Sequence, residues 1–158
     1  MPAVDTVELY LPTADDTAAC ALRLAPDLGA GDCILLEGDL GAGKTHFARA
    51  LIQGKLAEVG LIEEVPSPTF TLVQTYDAGS LAIWHVDLYR LRNADELVEL
   101  GLEEAFGAAL ILIEWPDRLG AMAPADALCL RFEMHEHGRT LRASGPARLL
   151  KSLRAIDG

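Results

Sequence analysis

An α/β fold is predicted, with a mixed sheet that is parallel at its centre and carries antiparallel hairpins at its margins. Three observations lead there. Two strand-length runs, Cys33–Leu36 and Leu110–Ile113, are apolar at every position, as strands covered on both faces are. Helix-length stretches follow or separate them, about Lys44 to Leu56 and Asn93 to Phe106. Two pairs of shorter strand-like segments close on turn residues, Asp77-Ala-Gly-Ser80 and Glu136-His137-Gly138, as antiparallel hairpins do. Helices on both faces of such a sheet make a three-layer fold.

Taken in order, Thr6 to Leu11 alternates Val7, Leu9 and Leu11 and reads as a strand with one buried face. Pro12-Thr13 opens a helix of about Ala14 to Leu24, with Thr13 as its cap. After the Gly29–Asp32 turn comes the apolar strand Cys33–Leu36, then a glycine-rich loop from Gly38 to Gly43 and the helix from about Lys44 to Leu56. Ser67-Pro-Thr-Phe70 is extended by its proline and leads into a strand over Thr69 to Tyr76, which returns as Leu81 to Val86. Asn93-Ala-Asp95-Glu96 caps a helix running to about Phe106, and Leu110–Ile113 ends in Glu114-Trp115-Pro116. Leu128 to Met134 and Thr140 to Ala143 form the last hairpin. With 158 residues and neither linker nor repeat, residues 1–158 are expected to form one domain.

Composition narrows the function classes. Hydrophobic residues make up 51% and charged residues 23%, which excludes a disordered or collagen-like chain. The formal net charge of −11 argues against tight direct contact with a nucleic-acid backbone, which needs a basic face. It leaves room for a small polyanion held by backbone amides and one or two cations. The three cysteines, Cys20, Cys33 and Cys129, form neither a C-x-x-C pair nor a metal spacing, so a reducing compartment is expected. The first residues have no basic and apolar leader, and the longest apolar stretch is too short to span a bilayer; a cytoplasmic protein without membrane contact is the expectation.

Gly38-Asp-Leu-Gly-Ala-Gly-Lys44-Thr45 satisfies G-x-x-x-x-G-K-[ST] at every required position, between an apolar strand and a helix. By composition, a chance match in a chain of this length is on the order of one in a few hundred. The chain has only three lysines, and one of them stands at the motif. Glycines let successive N–H groups turn inward around a β-phosphate, and the helix N-terminus adds partial positive charge. Asp39, Leu40, Gly41, Ala42 and Gly43 are therefore expected to hold nucleotide phosphates, with Lys44 on the β/γ oxygens and the Thr45 hydroxyl on Mg²⁺. The fold expected around such a loop is P-loop NTPase-like.

A phosphate loop of this kind needs an acidic partner for the metal, usually at the end of a neighbouring buried strand. Glu114 follows four apolar residues and fits; Asp87, after Leu81 to Val86, is the second candidate, its alternative being a surface turn carboxylate. Ser67-Pro-Thr69 occupies the stretch where many such proteins place a γ-phosphate-sensing hydroxyl, although spacing alone reads it as an extended loop fixed by proline. His135-x-His137 lacks a nearby third ligand and reads as a polar hairpin tip, while His46 and His85 read as structural or solvent-facing. Glu63-Glu64 and Glu103-Glu104 read as solvated faces. The N-K-x-D element of guanine readers is absent, since the only asparagine is Asn93. A small-molecule kinase stays open but is not favoured: Arg90, Arg92, Arg118, Arg131 and Arg139 are dispersed and no lid-length insertion is present.

Four blocks stand in order: the Gly38–Thr45 loop, Ser67-Pro-Thr-Phe-Thr-Leu-Val73, His85-Val-Asp-Leu-Tyr-Arg90 and Ile113-Glu-Trp-Pro116. Together they resemble the TsaE family (older name YjeE), the bacterial ATPase of threonylcarbamoyladenosine tRNA modification, over nearly the whole chain. The resemblance implies an ATP/ADP- and Mg²⁺-binding accessory subunit that works with TsaD and TsaB on tRNAs reading ANN codons. TsaD performs the transfer in that scheme, and tRNA is met only through the partners. It further implies Lys44, Asp87, Glu114 and Thr69 as catalytic positions, with Asp87 near the metal or the attacking water and Thr69 in a switch-like loop. Thr45 and Glu114 serve the metal, and Trp115, Gly138, Arg139 and Thr13 lie near the nucleotide. One departure is His46, where family members often carry a second Thr or Ser. Two other classes remain open at this point: a small-molecule or cell-wall-precursor kinase, and a nucleotide-switch binding module.

Overall fold

The computed structural model describes residues 6–39, 41–66, 72–91, 93 and 95–157. Seven strands form one mixed sheet: β1 (Thr6–Leu11), β2 (Cys33–Glu37), β3 (Val73–Ala78), β4 (Leu81–Asp87), β5 (Leu110–Glu114), β6 (Leu128–His135) and β7 (Gly138–Ser144). Their spatial order is β1-β7-β6-β2-β5-β4-β3. The inner four, β6, β2, β5 and β4, are mutually parallel, while β1 and β7 on one margin and β3 on the other pair antiparallel. This is the predicted P-loop NTPase-like arrangement, and the two all-apolar runs, β2 and β5, lie side by side at its centre.

The strands place their side chains alternately on two faces, and each face has its own core. On one, Ile34, Leu36, Ile83, Leu110 and Leu112 pack beneath α1 (Ala14–Leu24), α2 (Lys44–Glu58) and the helix Ala147–Asp157. On the other, Leu35, Val86, Ile111 and Ile113 pack against α3 (Asp95–Leu100), α4 (Leu102–Ala105) and the 3₁₀ segment Pro116–Met122. The result is three layers. The final helix, α5, buries Leu149, Leu150 and Leu153. Among the described residues no helix is long and apolar enough to cross a membrane.

β1 and α1 follow the sequence expectation to the residue. Thr13 caps α1 in a reciprocal box: its hydroxyl accepts from the Asp16 N–H at 3.2 Å, and the Asp16 carboxylate accepts from the Thr13 N–H at 3.0 Å. The helix expected from Asn93 to Phe106 is two helices. Gly101, at φ +74°, adopts the left-handed conformation that ends α3 and turns the chain into α4. Read in a helical pattern, that glycine looks like a tolerated interior residue; in three dimensions it is a stop. The strand expected over Thr69 to Tyr76 is β3, Val73–Ala78: Leu72, at φ +63°, precedes it outside the strand, Asp77 and Ala78 extend it into the expected turn, and 67–71 lie outside the described residues.

Candidate functional site

Because β2, β4 and β5 are parallel, their carboxyl ends share one end of the sheet, where open α/β sheets bind ligands. The chain places a chemically distinctive group at each of those ends. The glycine-rich loop succeeds β2 after Glu37, Asp87 closes β4 and Glu114 closes β5. β6 is parallel to β2 as well, so the β6–β7 turn brings Arg139 to the same end. These residues surround a cleft of about 540 Å³, within the size range of small-molecule sites.

The loop delivers α2 with its amino end facing the cleft. Gly43 has φ +111°, and a Cβ there would lie 2.7 Å from the Arg139 guanidinium, so the loop and the arginine pack closely only because the residue is glycine. The next residue, Lys44, is 4% exposed. Its ammonium donates to the Gly38 carbonyl and lies 3.5 Å from the centre of the Trp115 ring. Burial pushes its pKa below the usual lysine value, against the pull of Glu114, Asp87, Asp39 and Asp117. A desolvated cation at the mouth of a helix N-terminus favours an incoming anion.

Thr45 begins the contact between helix and strand. Its hydroxyl donates to Glu114 Oε1 at 2.7 Å, joining residues 69 apart in sequence. Glu114 is 2% exposed, and its other oxygen, Oε2, is 2.7 Å from His85 Nε2. Asp87 is the register partner of Glu114 across β4 and β5 and accepts from the Tyr89 N–H at 2.9 Å. Burial raises the Asp87 pKa above the ordinary carboxylate value, Glu114 adds to the rise, and the Tyr89 hydrogen bond opposes it. Trp115 stands at φ +61°, ψ +53°, a left-handed conformation costing on the order of 1 kcal/mol or more for a non-glycine residue. Its ring packs on Tyr89 with centroids 5.0 Å apart.

The hydroxyl of Thr45 and the carboxylates of Glu114 and Asp87 are hard oxygen donors, suited to Mg²⁺. No cluster of three or more His, Cys, Asp or Glu side chains arranged for a metal occurs among the described residues. Mg²⁺ in nucleotide sites commonly takes one or two protein groups, with phosphate and water completing its shell.

The structure thus brings Gly41, Gly43, Lys44, Thr45, Asp87, Glu114, Trp115 and Arg139 to one cleft. Ala42 is buried at the base of the loop, and Asp39 faces a neighbouring depression with Glu37 and Arg131. Thr13 is engaged in the α1 cap, while its neighbour Ala14 lines the cleft. Gly138 packs against Pro12, where a Cβ would come within 2.8 Å of the proline Cα. Leu40 and Thr69 lie outside the described residues. Of the two readings of His85, structural or solvent-facing, the first holds: it is fully buried, and its Nε2 lies against Glu114, a contact the sequence did not indicate. Tyr89, Arg90 and His46 also line the cleft; the first two belong to the His85–Arg90 block and His46 follows the Gly38–Thr45 loop, but none is assigned to the site from the sequence. The sequence carries only part of the signal for His85: positions 85 and 87 of a strand share a face, but the contact with Glu114 depends on register.

The family model of "Threonylcarbamoyl adenosine biosynthesis protein TsaE" matches residues 11–142. The tRNA threonylcarbamoyladenosine biosynthesis protein TsaE of Rickettsia felis is 39% identical over 133 residues, covering 84% of this chain and 76% of that one. The Bacillus subtilis protein of the same name is 39% identical over 115 residues, covering 72% and 69% of the two chains. Among solved structures, the crystal structure of Bacillus subtilis YdiB superposes with a TM-score of 0.78 at 27% identity, covering 100% of both chains.

Proposed function

The chain belongs to the TsaE family of threonylcarbamoyladenosine biosynthesis proteins, and from that membership we propose that it is a Mg²⁺-dependent ATPase. In this reading it serves the modification of tRNAs reading ANN codons as an accessory subunit, acting with TsaD and TsaB rather than performing the transfer itself. Its nucleotides are ATP and ADP, and it meets tRNA through its partners, in the cytoplasm. The observation that carries the reading is the hydrogen bond from Thr45 to Glu114, which closes a glycine-rich loop, a helix N-terminus and a buried carboxylate around one cleft.

The residues divide the work by their chemistry. Backbone N–H groups of residues 39–43 and the amino end of α2 receive the phosphates. Lys44, whose ammonium has only the Gly38 carbonyl and the Trp115 face among its described contacts, gains charged acceptors when phosphate oxygens arrive. Thr45 and Glu114 would hold Mg²⁺, which when bound neutralises charge on the β- and γ-phosphoryl oxygens. Asp87, its pKa raised by burial, is the group to orient the attacking water and take up its proton. Arg139, packed over Gly43, supplies a second cation for charge developing during transfer. Thr69 serves as the γ-phosphate-sensing hydroxyl, with Trp115, Gly138 and Thr13 flanking the nucleotide.

The test is ATP hydrolysis by the purified chain, alone and with the cognate TsaB–TsaD pair. A weak basal rate that the pair raises is expected, and Glu114→Gln is expected to lower the Mg²⁺-dependent rate by about 10²-fold or more. A rate indifferent to the pair, or γ-phosphate recovered on an acceptor other than water, would overturn the proposal.

A further inference from the structure

His85 is an imidazole in an apolar row. On its face of the sheet it continues Ile83 along β4 and is the register partner of Leu112 on β5, both fully buried. Its own exposure is 0%. Burying a polar ring among aliphatic side chains is costly unless it is hydrogen-bonded. The bond it makes is Nε2 to Glu114 Oε2, at 2.7 Å. Nδ1 has no hydrogen-bond partner among the described residues, so the ring proton belongs on Nε2, which donates to the carboxylate. The geometry arises from strand register. Position 85 lies opposite 112, so Glu114, two residues on and on the same face, is its diagonal neighbour. Glu114 is thereby held at both oxygens, by His85 at Oε2 and by Thr45 at Oε1.

We propose that His85 is a positioning residue for Glu114: by fixing Oε2 it keeps Oε1 turned to the Thr45 hydroxyl, where the metal is to be held. The inference rests on the assignment of Glu114 to Mg²⁺ made above and adds to it the group that orients the carboxylate. Without His85, Glu114 has rotameric freedom at its χ3 torsion and must be ordered each time a cation binds. Hydrogen-bonded partners of ligating groups typically account for about 10–100-fold in metal affinity.

Three chains test this: wild type, His85→Leu and His85→Gln. Leucine matches the surrounding row and deletes the donor, whereas glutamine places an amide N–H near the position of Nε2. Two quantities are measured. The first is ADP affinity in EDTA, by calorimetry. The second is Mn²⁺ affinity of the preformed protein–ADP complex, from the electron paramagnetic resonance signal of the free ion. His85→Leu is expected to keep ADP affinity in EDTA within about twofold and to weaken Mn²⁺ by about 10–100-fold, with His85→Gln recovering most of that loss. Wild-type Mn²⁺ affinity in His85→Leu would overturn the proposal. So would equal loss in His85→Gln, or a parallel loss of metal-free ADP binding, since either makes the ring a packing element. Should His85→Leu not fold, His85→Asn replaces it, a polar side chain too short to reach Glu114. A wild-type complex that bound no Mn²⁺ would remove the metal assignment of Glu114 itself, and that result is read before any variant is made.

Discussion

Asp87 is a carboxylate whose surroundings favour its proton: burial raises its pKa first, and Glu114 adds to the rise. The folded protein therefore binds that proton more tightly than the unfolded chain does. The stability this contributes is complete below the unfolded value, near 3.8, and is lost as pH rises through the higher folded value. At neutral pH the ionised group is a cost. Asp87→Asn, which keeps the acceptor for the Tyr89 N–H, is expected to melt at a higher temperature than wild type at pH 7, with the gap closing as the pH approaches 4. Thermal melts without nucleotide across that range check it, and the same variant is expected to lose most ATP turnover. Lys44 shows the same tension with opposite charge, its pKa lowered by burial. Most of these groups are legible in the sequence because their signals are local. Lys44 and Thr45 sit in a contiguous motif, and Glu114 ends an apolar run. His85 is not legible in that way, because its role depends on which residue of β5 lies beside it, and register is a property of two strands.

Elements are legible where a cap, a run or an alternation announces them, and less so where a single residue redirects the chain. Thr13 at the start of α1 is visible as a helix cap and is one in the structure, with both halves of its box present. Thr13→Ala is expected to destabilise the protein by about 1 kcal/mol, measured by denaturant titration. Gly101 is the contrary case. Only its φ of +74° separates α3 from α4, and a pattern of apolar spacing carries no φ. Gly101→Ala is expected to cost roughly 1 kcal/mol in the same measurement, because alanine must take the left-handed conformation that glycine accepts freely. α5 carried a readable signal, with Pro146 ahead of a helix whose leucines lie at positions 149, 150 and 153. Its amphipathic spacing covers β1 and α1 at the margin of the sheet, remote in sequence from the motif that dominates the reading.

At the scale of the molecule, one topological fact assembles the site. Parallel β2, β4, β5 and β6 send their carboxyl ends the same way, so loops from four separate parts of the chain converge there. The predicted mixed sheet contained the ingredients, but not the spatial order that puts the β6–β7 turn and Arg139 beside the glycine-rich loop. Net charge also belongs to this scale. A net charge of −11 disfavours a polyanionic backbone, while the cleft brings Lys44 and Arg139 together. In a binding assay between about 50 and 200 mM salt, the isolated chain is expected to form no tight, salt-sensitive complex with tRNA. A complex that tightened steeply at low salt would contradict the view that partner proteins carry the nucleic acid.

Whether this cleft takes Mg²⁺ and ATP on the loop ending in Lys44 and Thr45 is decided by titration calorimetry of ATP into the purified chain. Wild type would be titrated with Mg²⁺ and with EDTA, and Lys44→Ala with Mg²⁺. Saturable binding of one ATP per chain is expected, tighter with Mg²⁺ and weakened by at least about tenfold in Lys44→Ala, because a charge-assisted contact worth about 1.5–3 kcal/mol is lost. No saturable binding, or binding of equal strength in Lys44→Ala, would contradict it.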